Sequence, residues 1–322
     1  MQFSVIVPVY NRPDEVYELL ESLSTQTYPP YEILIIEDGS TNTCKKITES
    51  FHDRLNISYY FKENSGQGFS RNFGFDKADG DYFVVFDSDC IIPELYFQTV
   101  KNYIEKKGGI DCWGGPDRSH SSFTFIQKAI SYSMTSPLTT GGIRGNKKHI
   151  GQFHPRSFNM GISKKVYDET GGYIITRMGE DIEFSIRILK QGFNTHLIED
   201  AFVYHKRRTN FIEFYKQLRF FGRARINITR YHPEEMKWIH FMPSLCLIAL
   251  IFSTVAYFFS SGPSTMAIDL FIIYAIVLFL HALYKLKNPL TALNGVFAAF
   301  IQLIAYGEGF IREAFTYIRR SN

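Results

Sequence analysis

The triplet Asp87-Ser88-Asp89 has the residue types of a cation site. It directly follows the apolar segment Tyr82–Phe86, which is predicted to be a buried strand. Two carboxylates at a strand end can hold a hard divalent cation through oxygen ligands and leave coordination positions open for phosphate oxygens. Mg²⁺ or Mn²⁺ bound there would neutralise the charge that develops on a diphosphate leaving group. A solvated turn is the alternative interpretation of the triplet taken alone.

Apolar segments bounded by turn residues alternate with helical patterns in the first half of the chain. Strands are predicted at Phe3–Val9, 32–36, 57–61 and Tyr82–Phe86, and helices at 14–27, 44–51, Gln67–Lys77 and 93–107. This alternation predicts an α/β fold with a mostly parallel, Rossmann-like sheet. Ligands of such sheets bind beyond the carboxyl ends of the strands. Asn11, Asp38 and Asn64 follow three of these strands, so a site is predicted at that edge.

The chain is less regular after residue 107. From 108 to 175 it is rich in glycine, serine and threonine, and an ordered segment is expected only at 157–163. A helix is predicted at 180–191 and short strands at 195–198 and 202–205. These elements would complete a first domain over residues 1–205.

Charge divides the chain into a body and a tail. Its 322 residues include 35 basic and 32 acidic ones, and 45% are hydrophobic, which excludes a disordered chain and a strongly basic nucleic-acid-binding protein. Only four charged residues lie between Ile239 and Ile311, which predicts a membrane region over 239–322. The buried core of a second soluble domain is the alternative. Four scattered cysteines without a C-x-x-C pair fit a reducing compartment.

Two membrane spans are predicted, at about 241–259 and 266–284, each close to the roughly 20 residues that cross the hydrocarbon. An uncharged turn at 260–264 joins them, and Lys285 and Lys287 follow the second. The positive-inside rule then places both ends of the hairpin in the cytoplasm. The apolar N-terminal segment lacks a basic leader and is interpreted as a strand rather than a signal peptide. We therefore expect a protein of the cell inner membrane whose first domain is cytoplasmic.

Two segments of the tail have alternative interpretations. Residues 206–238 hold nine basic and three acidic residues, which predicts basic amphipathic helices at an anionic membrane surface; a solvated basic face is the alternative. In the apolar stretch 290–311, small or polar residues recur every three or four positions. This stretch is predicted to be an interfacial or re-entrant helix, with a third span as the alternative.

Five motifs occur in the order and at the spacing of glycosyltransferase family 2, which residues 1–205 resemble. They are SVIVPVYN at 4–11, EDGS at 37–40, NSGQGFSRNFG at 64–74, the acidic triplet, and GED at 179–181. The resemblance implies a GT-A fold, a nucleotide-diphosphate sugar donor and inversion at the anomeric carbon. The tail resembles that of membrane-anchored bacterial members.

The resemblance assigns roles on the donor side. Pro8, Tyr10 and Asn11 would line the nucleoside pocket, Asp38 would accept a hydrogen bond from uracil, and Arg71 would face the base or that aspartate. Asp87 and Ser88 would contact the donor. Asp89 would be the main metal ligand, with Asp87 near the metal-bound water. His205 is similar to a histidine that completes the metal or diphosphate site in some relatives; a structural histidine is the alternative.

On the acceptor side, the resemblance implies that Asp181 is the general base, because an inverting single displacement needs one carboxylate within reach of the attacking hydroxyl. Helix N-terminal N–H groups would help to keep it ionised. Glu180 would orient the acceptor or the loop, and Gly114, Gly115, Asn159 and Met160 would lie near the sugar and acceptor. An acid that serves only the helix dipole is the alternative for Asp181.

The sequence thus predicts a metal-dependent, inverting, membrane-anchored glycosyltransferase. A UDP-sugar is the expected donor, a lipid-linked or other glycan is the expected acceptor, and nucleic acid is not an expected partner. One alternative is a processive polysaccharide synthase, although the segment 217–221 (QLRFF) lacks the Arg-Trp pair of such synthases. Another is a non-catalytic nucleotide-sugar-binding scaffold, which the intact acidic residues disfavour.

Overall fold

The computed structural model describes residues 1–140, 153–257 and 263–321. Through residue 140 its elements are β1 (Phe3–Val9), α1 (Pro13–Ser24), β2 (Glu32–Asp38), α2 (Lys45–Glu49), β3 (Ile57–Lys62), α3 (Gln67–Lys77), β4 (Tyr82–Phe86), β5 (Cys90–Ile91), α4 (Tyr96–Lys107), β6 (Cys112–Gly114), β7 (Asp117–Arg118), α5 (Phe125–Thr135) and α6 (Pro137–Thr140). From residue 153 onward they are β8 (Asn159–Ser163), α7 (Lys164–Thr170), α8 (Glu180–Lys190), β9 (Thr195–Leu197), β10 (Val203–His205), α9 (Phe211–Thr229), α10 (Met242–Tyr257), α11 (Pro263–Leu286) and α12 (Pro289–Ser321).

The described residues form two compact units. The first unit holds residues 1–120 and 153–206, and the second holds 121–140 together with the described residues from 207 onward. The second unit therefore includes α5 and α6, although the sequence places them inside the expected first domain.

Seven strands of the first unit form one sheet in the order β3-β2-β1-β4-β8-β6-β9. Strand β1 pairs in parallel with β2 and β4, and β2 pairs in parallel with β3. Strand β8 is antiparallel to both β4 and β6. The predicted mostly parallel sheet is thus confirmed, and the carboxyl ends of three adjacent strands (β2, β1 and β4) lie at the same edge.

Burial on both faces explains why the central strands are continuously apolar. In β1, Val5 and Val7 pack into one layer of the core, which also contains Phe97 of α4. Ile6, between them, packs into the opposite layer with Phe75 of α3. Full burial of such a side chain contributes about 1.5–3 kcal/mol. Helices on both faces therefore hold the strand ends rigidly.

Most predicted elements agree with the structure to within two residues at each end, and two helices differ by three residues at one end for local reasons. Strands β1 and β4 and helix α3 have the predicted bounds. Helix α1 ends at Ser24 rather than at residue 27, where the Thr27 N–H instead donates to the Glu94 carbonyl at 3.1 Å. Helix α4 begins at Tyr96 rather than at Pro93, because the Tyr96 N–H closes a turn on the Pro93 carbonyl at 2.9 Å.

A second sheet of three short strands, in the order β5-β10-β7, also belongs to the first unit. Strand β10 is antiparallel to β5, and this pairing sets His205 opposite Cys90. The Lys206 N–H donates to the carbonyl of Asp89 at 3.0 Å. Through these bonds the end of β10 is fixed beside the acidic triplet.

Helix α5 of the second unit lies within residues 108–175, a stretch that is predicted to be less regular. It begins with a capping box in which the Thr124 side chain and Gln127 exchange hydrogen bonds with each other's backbone. Its apolar side packs with helices α9 and α12 in one cluster, whose buried members are Ile130, Met134, Phe214, Leu218, Ala298 and Ala305.

Helix α12 is a single uninterrupted helix of 33 residues, so the re-entrant form of the prediction for 290–311 is wrong. Its small-residue stripe faces α9. A Cβ at Gly222 of α9 would lie 2.1 Å from the Tyr306 carbonyl oxygen, and one at Gly309 would lie 2.0 Å from the Arg219 carbonyl oxygen. The two backbones are therefore in direct contact.

Ion pairs also join α9 and α12. Arg219 lies 3.0 Å from Glu308, and Glu313 is paired with both Arg223 at 2.9 Å and Arg230 at 3.0 Å. Three of the basic residues that were expected to face anionic headgroups are thus paired inside the unit. The basic surface of α9 is smaller than its sequence suggests.

Within the described part of the chain, three helices are long and apolar enough to cross a membrane: Trp238–Tyr257, Ile268–Leu286 and Pro289–Arg319. Of the 18-residue apolar segment in each helix, only 11% is buried in the first two helices, compared with 44% in the third. Large apolar side chains such as Phe252 and Leu280 are exposed along α10 and α11. Of the predicted turn at 260–264, residues 260–262 lie outside the described residues, and so do residues 258–259 of the first predicted span.

Candidate active site

The site edge begins with two loops that are bonded to each other. The Asn11 side-chain oxygen accepts hydrogen bonds from the N–H groups of Thr41 and Asn42, both at 2.9 Å. The Asn11 N–H donates to the Ser40 hydroxyl at 2.7 Å. Asn11 adopts a positive φ of 53°, a conformation that asparagine tolerates better than most residues. The loops after β1 and β2 therefore form one structure at the edge.

Glu37 holds the loop after β2 in place through hydrogen bonds to Ser40 and Cys44. Its side chain is buried, accepts the Cys44 N–H at 2.9 Å and bonds to the Ser40 hydroxyl. Burial and the neighbouring Glu37 raise the pKa of the Cys44 thiol, which stays neutral. Glu37 thus has a structural role in this loop.

Asp38 is held by the loop that precedes α3. Its carboxylate accepts hydrogen bonds from Lys62 Nζ at 2.5 Å and from the N–H groups of Ser65 and Gly66, both at 2.9 Å. Burial raises the pKa of Asp38, but Lys62 and these donors outweigh burial and lower it below its ordinary value. Asp38 is therefore an ionised, pre-oriented acceptor, and its contact with uracil stays a prediction.

Arg71 pairs with two acids other than Asp38, and its position facing the base stays a prediction. Its guanidinium bridges two acids: Nη2 lies 2.9 Å from Asp87, and Nη1 lies 3.1 Å from Glu180. Burial lowers the pKa of Arg71, but Asp87 and Glu180 are among the neighbours that raise it, so the group stays charged. Among the described contacts, Lys62 rather than Arg71 is the cation on Asp38. The arginine therefore connects the acidic triplet to the start of α8.

The start of α8 carries both predicted acceptor-side acids. Glu180 is buried between Arg71 and Gln67, and burial together with Asp181 raises its pKa despite Arg71. Asp181 is partly exposed, accepts the Ile182 N–H at 2.8 Å and lies 3.5 Å from Arg156. The two acids thus differ: Glu180 belongs to a buried network, and Asp181 can meet a ligand.

Asp89 is the centre of the candidate cation site. Its Oδ1 lies 3.1 Å from His205 Nε2, and its Oδ2 accepts a hydrogen bond from Arg12. Burial raises the pKa of Asp89, but His205 and Arg12 together hold it well below its ordinary range. Ligand atoms of Asp89, Cys90 and His205 lie within 4.8 Å of one another. The sequence named Asp89 and His205 but missed Arg12, whose position directly after Asn11 was the available signal.

Cys90 and Asp87 have other partners. The Cys90 thiol is buried, its pKa is raised mainly by that burial, and it lies 3.5 Å from the Phe158 carbonyl. Among the described residues, the group around Asp89 that could hold an ion does not include Asp87, which pairs with Arg71. Two of the predicted metal ligands, Asp89 and His205, thus lie in this group, and the metal role of Asp87 stays a prediction.

The other predicted site residues divide into two groups. Tyr10 is 54% exposed at the edge, Pro8 is partly buried at the end of β1, and Ser88 is buried within the triplet. Asn159 and Met160 are fully buried. The assignment of these last two to the acceptor is corrected, because both amide atoms of Asn159 are bonded inside the protein, to the Tyr96 hydroxyl and the Ala201 carbonyl.

Gly114 and Gly115 also serve the fold. A Cβ at Gly115 would lie 1.8 Å from the Ala201 carbonyl oxygen, and one at Gly114 would lie 3.0 Å from Phe153. Close approach of the Ala201 backbone and of the Phe153 ring therefore accounts for both glycines, and their place near the sugar and acceptor stays a prediction.

Comparison with known proteins identifies the family. A sequence model described as glycosyl transferase family 2 matches residues 4–171, more than half of the chain. The chain belongs to glycosyl transferase family 2. The predicted membership is thereby confirmed.

Curated relatives of this family-2 chain match only part of it. An uncharacterized glycosyltransferase of Rickettsia felis is 34% identical over 142 residues, which is 44% of this chain and 22% of that protein. GlyA of Streptococcus pneumoniae is 37% identical over 34% of this chain and 16% of its own length. TarS of Staphylococcus aureus, a poly(ribitol-phosphate) β-N-acetylglucosaminyltransferase, is 33% identical over 33% and 19%. The match spans about a fifth of the length of these relatives.

Solved structures are similar over nearly the whole chain. A mannosyltransferase of Pyrobaculum calidifontis, in complex with GDP-Man and Mn²⁺, superposes with a TM-score of 0.66 at 16% identity, covering 94% of this chain and 87% of the other. Residues 1–349 of TarS with UDP-GlcNAc give a TM-score of 0.51 at 18% identity, covering 98% and 92%. These likenesses show the fold, and the expected GT-A fold is confirmed.

Proposed function

We propose that the chain is a glycosyltransferase that moves a sugar from a nucleotide-diphosphate donor, most simply a UDP-sugar, to an acceptor hydroxyl with inversion. One observation carries this proposal: Arg71 joins Asp87 of the donor-side triplet to Glu180, the neighbour of Asp181, at 2.9 and 3.1 Å. Motifs far apart in sequence therefore meet in one connected site. The family membership and the likeness to TarS in complex with UDP-GlcNAc support the donor class.

The donor side would hold the nucleotide and a divalent cation. Asp38 is an acceptor-only carboxylate and suits the uracil N–H. Asp89 and His205 would hold the ion, which supplies neutralisation of the charge that develops on the departing diphosphate. A mixed oxygen and nitrogen donor set suits Mn²⁺ better than Mg²⁺, whose sites are mostly all-oxygen. The similar mannosyltransferase structure in complex with GDP-Man and Mn²⁺ supports this choice.

On the acceptor side, Asp181 would act as the general base. The acceptor oxygen forms a bond to the anomeric carbon as the bond from that carbon to the diphosphate oxygen breaks, and the electron pair leaves with the nucleotide diphosphate. The hydroxyl proton passes to the Asp181 carboxylate. Partial exposure and the position at the start of α8 suit this role, because helix N-terminal N–H groups favour the ionised form.

We also infer the membrane arrangement of the second unit. α10 and α11 would form a hairpin of two spans with both ends in the cytoplasm, as Lys285 in the last turn of α11 and Lys287 directly after it favour. α12 would lie in the interface, since α9 packs along it from the Phe211–Phe297 ring contact to the Arg230–Glu313 ion pair. A spanning α12 would bring the charged residues of α9 into hydrocarbon at high cost.

The membrane helices also support a proposal for the acceptor. An enzyme with membrane spans in the same chain suits an acceptor carried on lipid, such as a polyprenyl-linked glycan intermediate. The cell inner membrane, with the first unit in the cytoplasm, is the proposed location. The exposed Lys216 and the partly exposed Arg225 of α9 suit an anionic membrane surface.

The proposal is tested with the purified full chain in detergent, screened against UDP- and GDP-sugars in Mn²⁺ with lipid-linked and soluble acceptors. Asp181→Asn is expected to abolish transfer while UDP binding, measured by calorimetry, persists; Asp89→Ala is expected to weaken the Mn²⁺-dependent part of that binding. Asp168→Asn is the matched control, because Asp168 lies exposed on α7. Full transfer by Asp181→Asn would refute the assignment of the base. A ladder of long products would indicate a processive synthase.

A further inference from the structure

Each carboxylate of the acidic triplet already has an arginine. Asp87 pairs with Arg71, and Asp89 pairs with Arg12. The two arginines differ in access to solvent: the Arg71 side chain is 3% exposed, whereas that of Arg12 is 29% exposed. Arg12 stands in the loop directly after Asn11, at the edge where the nucleotide is expected. It is therefore the arginine that can change partners without opening the core.

A divalent cation on Asp89 would meet the charge of Arg12. The guanidinium bonds to Oδ2 of the same carboxylate whose Oδ1 faces His205. Like charges on one carboxylate repel each other, and the repulsion is strong where water is largely excluded. The cation and Arg12 therefore compete for Asp89 as long as no further negative charge enters the site.

A diphosphate changes this balance. It brings at least two negative charges, and arginine binds phosphate oxygens through two N–H groups at once. Once the nucleotide is present, Arg12 has a new anion and Asp89 is released to the cation. Glu15, on the first turn of α1, and Asp87 are the other acids near Arg12, and both act to keep it charged.

We propose that Arg12 is a resident counter-ion of Asp89 that moves to the donor diphosphate, so that the divalent cation and the nucleotide bind cooperatively. This inference rests on the proposed function, because it takes the site to be a nucleotide-diphosphate site. It assigns Arg12 a role in the binding order: the free protein holds Mn²⁺ weakly, and nucleotide binding removes the competitor. Cooperativity of this kind is reciprocal, so Mn²⁺ strengthens UDP binding by the same factor.

The test measures Mn²⁺ binding by the loss of the free-ion electron paramagnetic resonance signal, using the full chain in detergent with and without UDP. The wild type is expected to bind Mn²⁺ roughly 5- to 150-fold more tightly with UDP than without it. Arg12→Gln keeps a hydrogen-bond donor and removes the charge. It is expected to bind Mn²⁺ alone about tenfold more tightly than the wild type and UDP about tenfold more weakly at saturating Mn²⁺, so the coupling factor shrinks.

Two further variants complete the design. Arg12→Lys retains the charge without the paired N–H groups and should bind Mn²⁺ alone as the wild type does. Arg54→Met removes an exposed arginine whose partner, Glu21, lies outside the site, and should change neither affinity. Circular dichroism of each variant confirms that it is folded.

The outcomes separate this inference from the function. Unchanged or weaker Mn²⁺ binding by Arg12→Gln would overturn the role of Arg12 while leaving the nucleotide site intact. A wild type that binds Mn²⁺ equally well with and without UDP would do the same. A wild type that binds no UDP in the presence of Mn²⁺ would overturn the nucleotide site itself, and the role of Arg12 with it.

Discussion

Replacing Arg71 by methionine should destabilise the first unit strongly, because it leaves a buried carboxylate without its cation. The Glu180 side chain is only 6% exposed, and Arg71 is its charged partner at 3.1 Å. Asp87, the other partner of Arg71, is 35% exposed and can be hydrated, so the loss of its ion pair with Arg71 costs little stability. Removal of one member of a buried ion pair costs about 3–5 kcal/mol. For a unit of this size, the melting midpoint should then fall by about 6–20 °C.

Intrinsic fluorescence can follow this change in the first unit. The chain has two tryptophans: Trp113 is fully buried in the first unit, whereas Trp238 is 88% exposed. The shift of Trp113 emission on heating therefore reports the unfolding of the first unit in the full chain. The double variant Arg71→Met with Glu180→Gln should recover most of the lost stability, because it also removes the unpaired charge. Arg54→Met, at an exposed ion pair, is the control and should not shift the midpoint measurably.

The pH dependence gives a second check on the same reasoning. Burial and Asp181 already raise the pKa of Glu180 above 4.5, and loss of Arg71 removes a group that opposes the rise. A carboxyl group with a raised pKa in the folded state favours folding below its unfolded pKa, and this contribution is lost as the pH rises through its folded pKa. The deficit of Arg71→Met should therefore be largest near pH 8 and shrink as the pH falls toward 4.5. A pH-independent deficit, or no recovery in the double variant, would refute the explanation.

Three further predictions concern other parts of the chain. In Lys62→Met, UDP binding should weaken at a higher pH as the solution is acidified. The reason is that the lowered pKa of Asp38 depends on this lysine, so Asp38 would lose its charge at a higher pH. Calorimetric titrations of UDP over a range of pH measure this, and an unchanged pH dependence would contradict it. Gly222→Ala should cost about 1–3 kcal/mol in detergent melts, since the added Cβ meets a backbone carbonyl of α12, and an unchanged midpoint would be evidence against the contact. A cysteine at Asn288, which follows α11, should react with an impermeant maleimide only after the cells are permeabilised. Labelling of this cysteine in intact cells would refute the hairpin.

Local pattern predicted the strands and helices of the first unit well. β1 and β4 are continuously apolar because both of their faces are buried, and this signal lies entirely within each segment. Helix α5 was missed because its segment is rich in serine and threonine, yet the capping pair Thr124 and Gln127 was a readable start signal. That α5 packs in the second unit depends on contacts with α9 and α12, which no local pattern contains.

The acidic members of the site could be named from the sequence, but their partners could not. Arg71 and Glu180 are 109 residues apart in the chain, and Arg12 and Asp89 are 77 apart. Which acid a given arginine meets is decided by the order of strands in the sheet, and the motifs do not encode that order locally. The same reason explains why the charge of α9 was overestimated: its acidic partners Glu308 and Glu313 lie on another helix.

Gly222 of α9 and Gly309 of α12, where the two helices touch, offer a way to classify uncharacterised sequences. Because neither Gly222 nor Gly309 can accept a side chain without moving a backbone, a chain that keeps the same helix joint must keep both residues small together. A chain with a bulky residue at either position must hold the helix that corresponds to α12 in a different place relative to the one that corresponds to α9. Reading the residue types at these two positions in other sequences would separate C-terminal regions that pack their helices in this way from those that are only similarly hydrophobic.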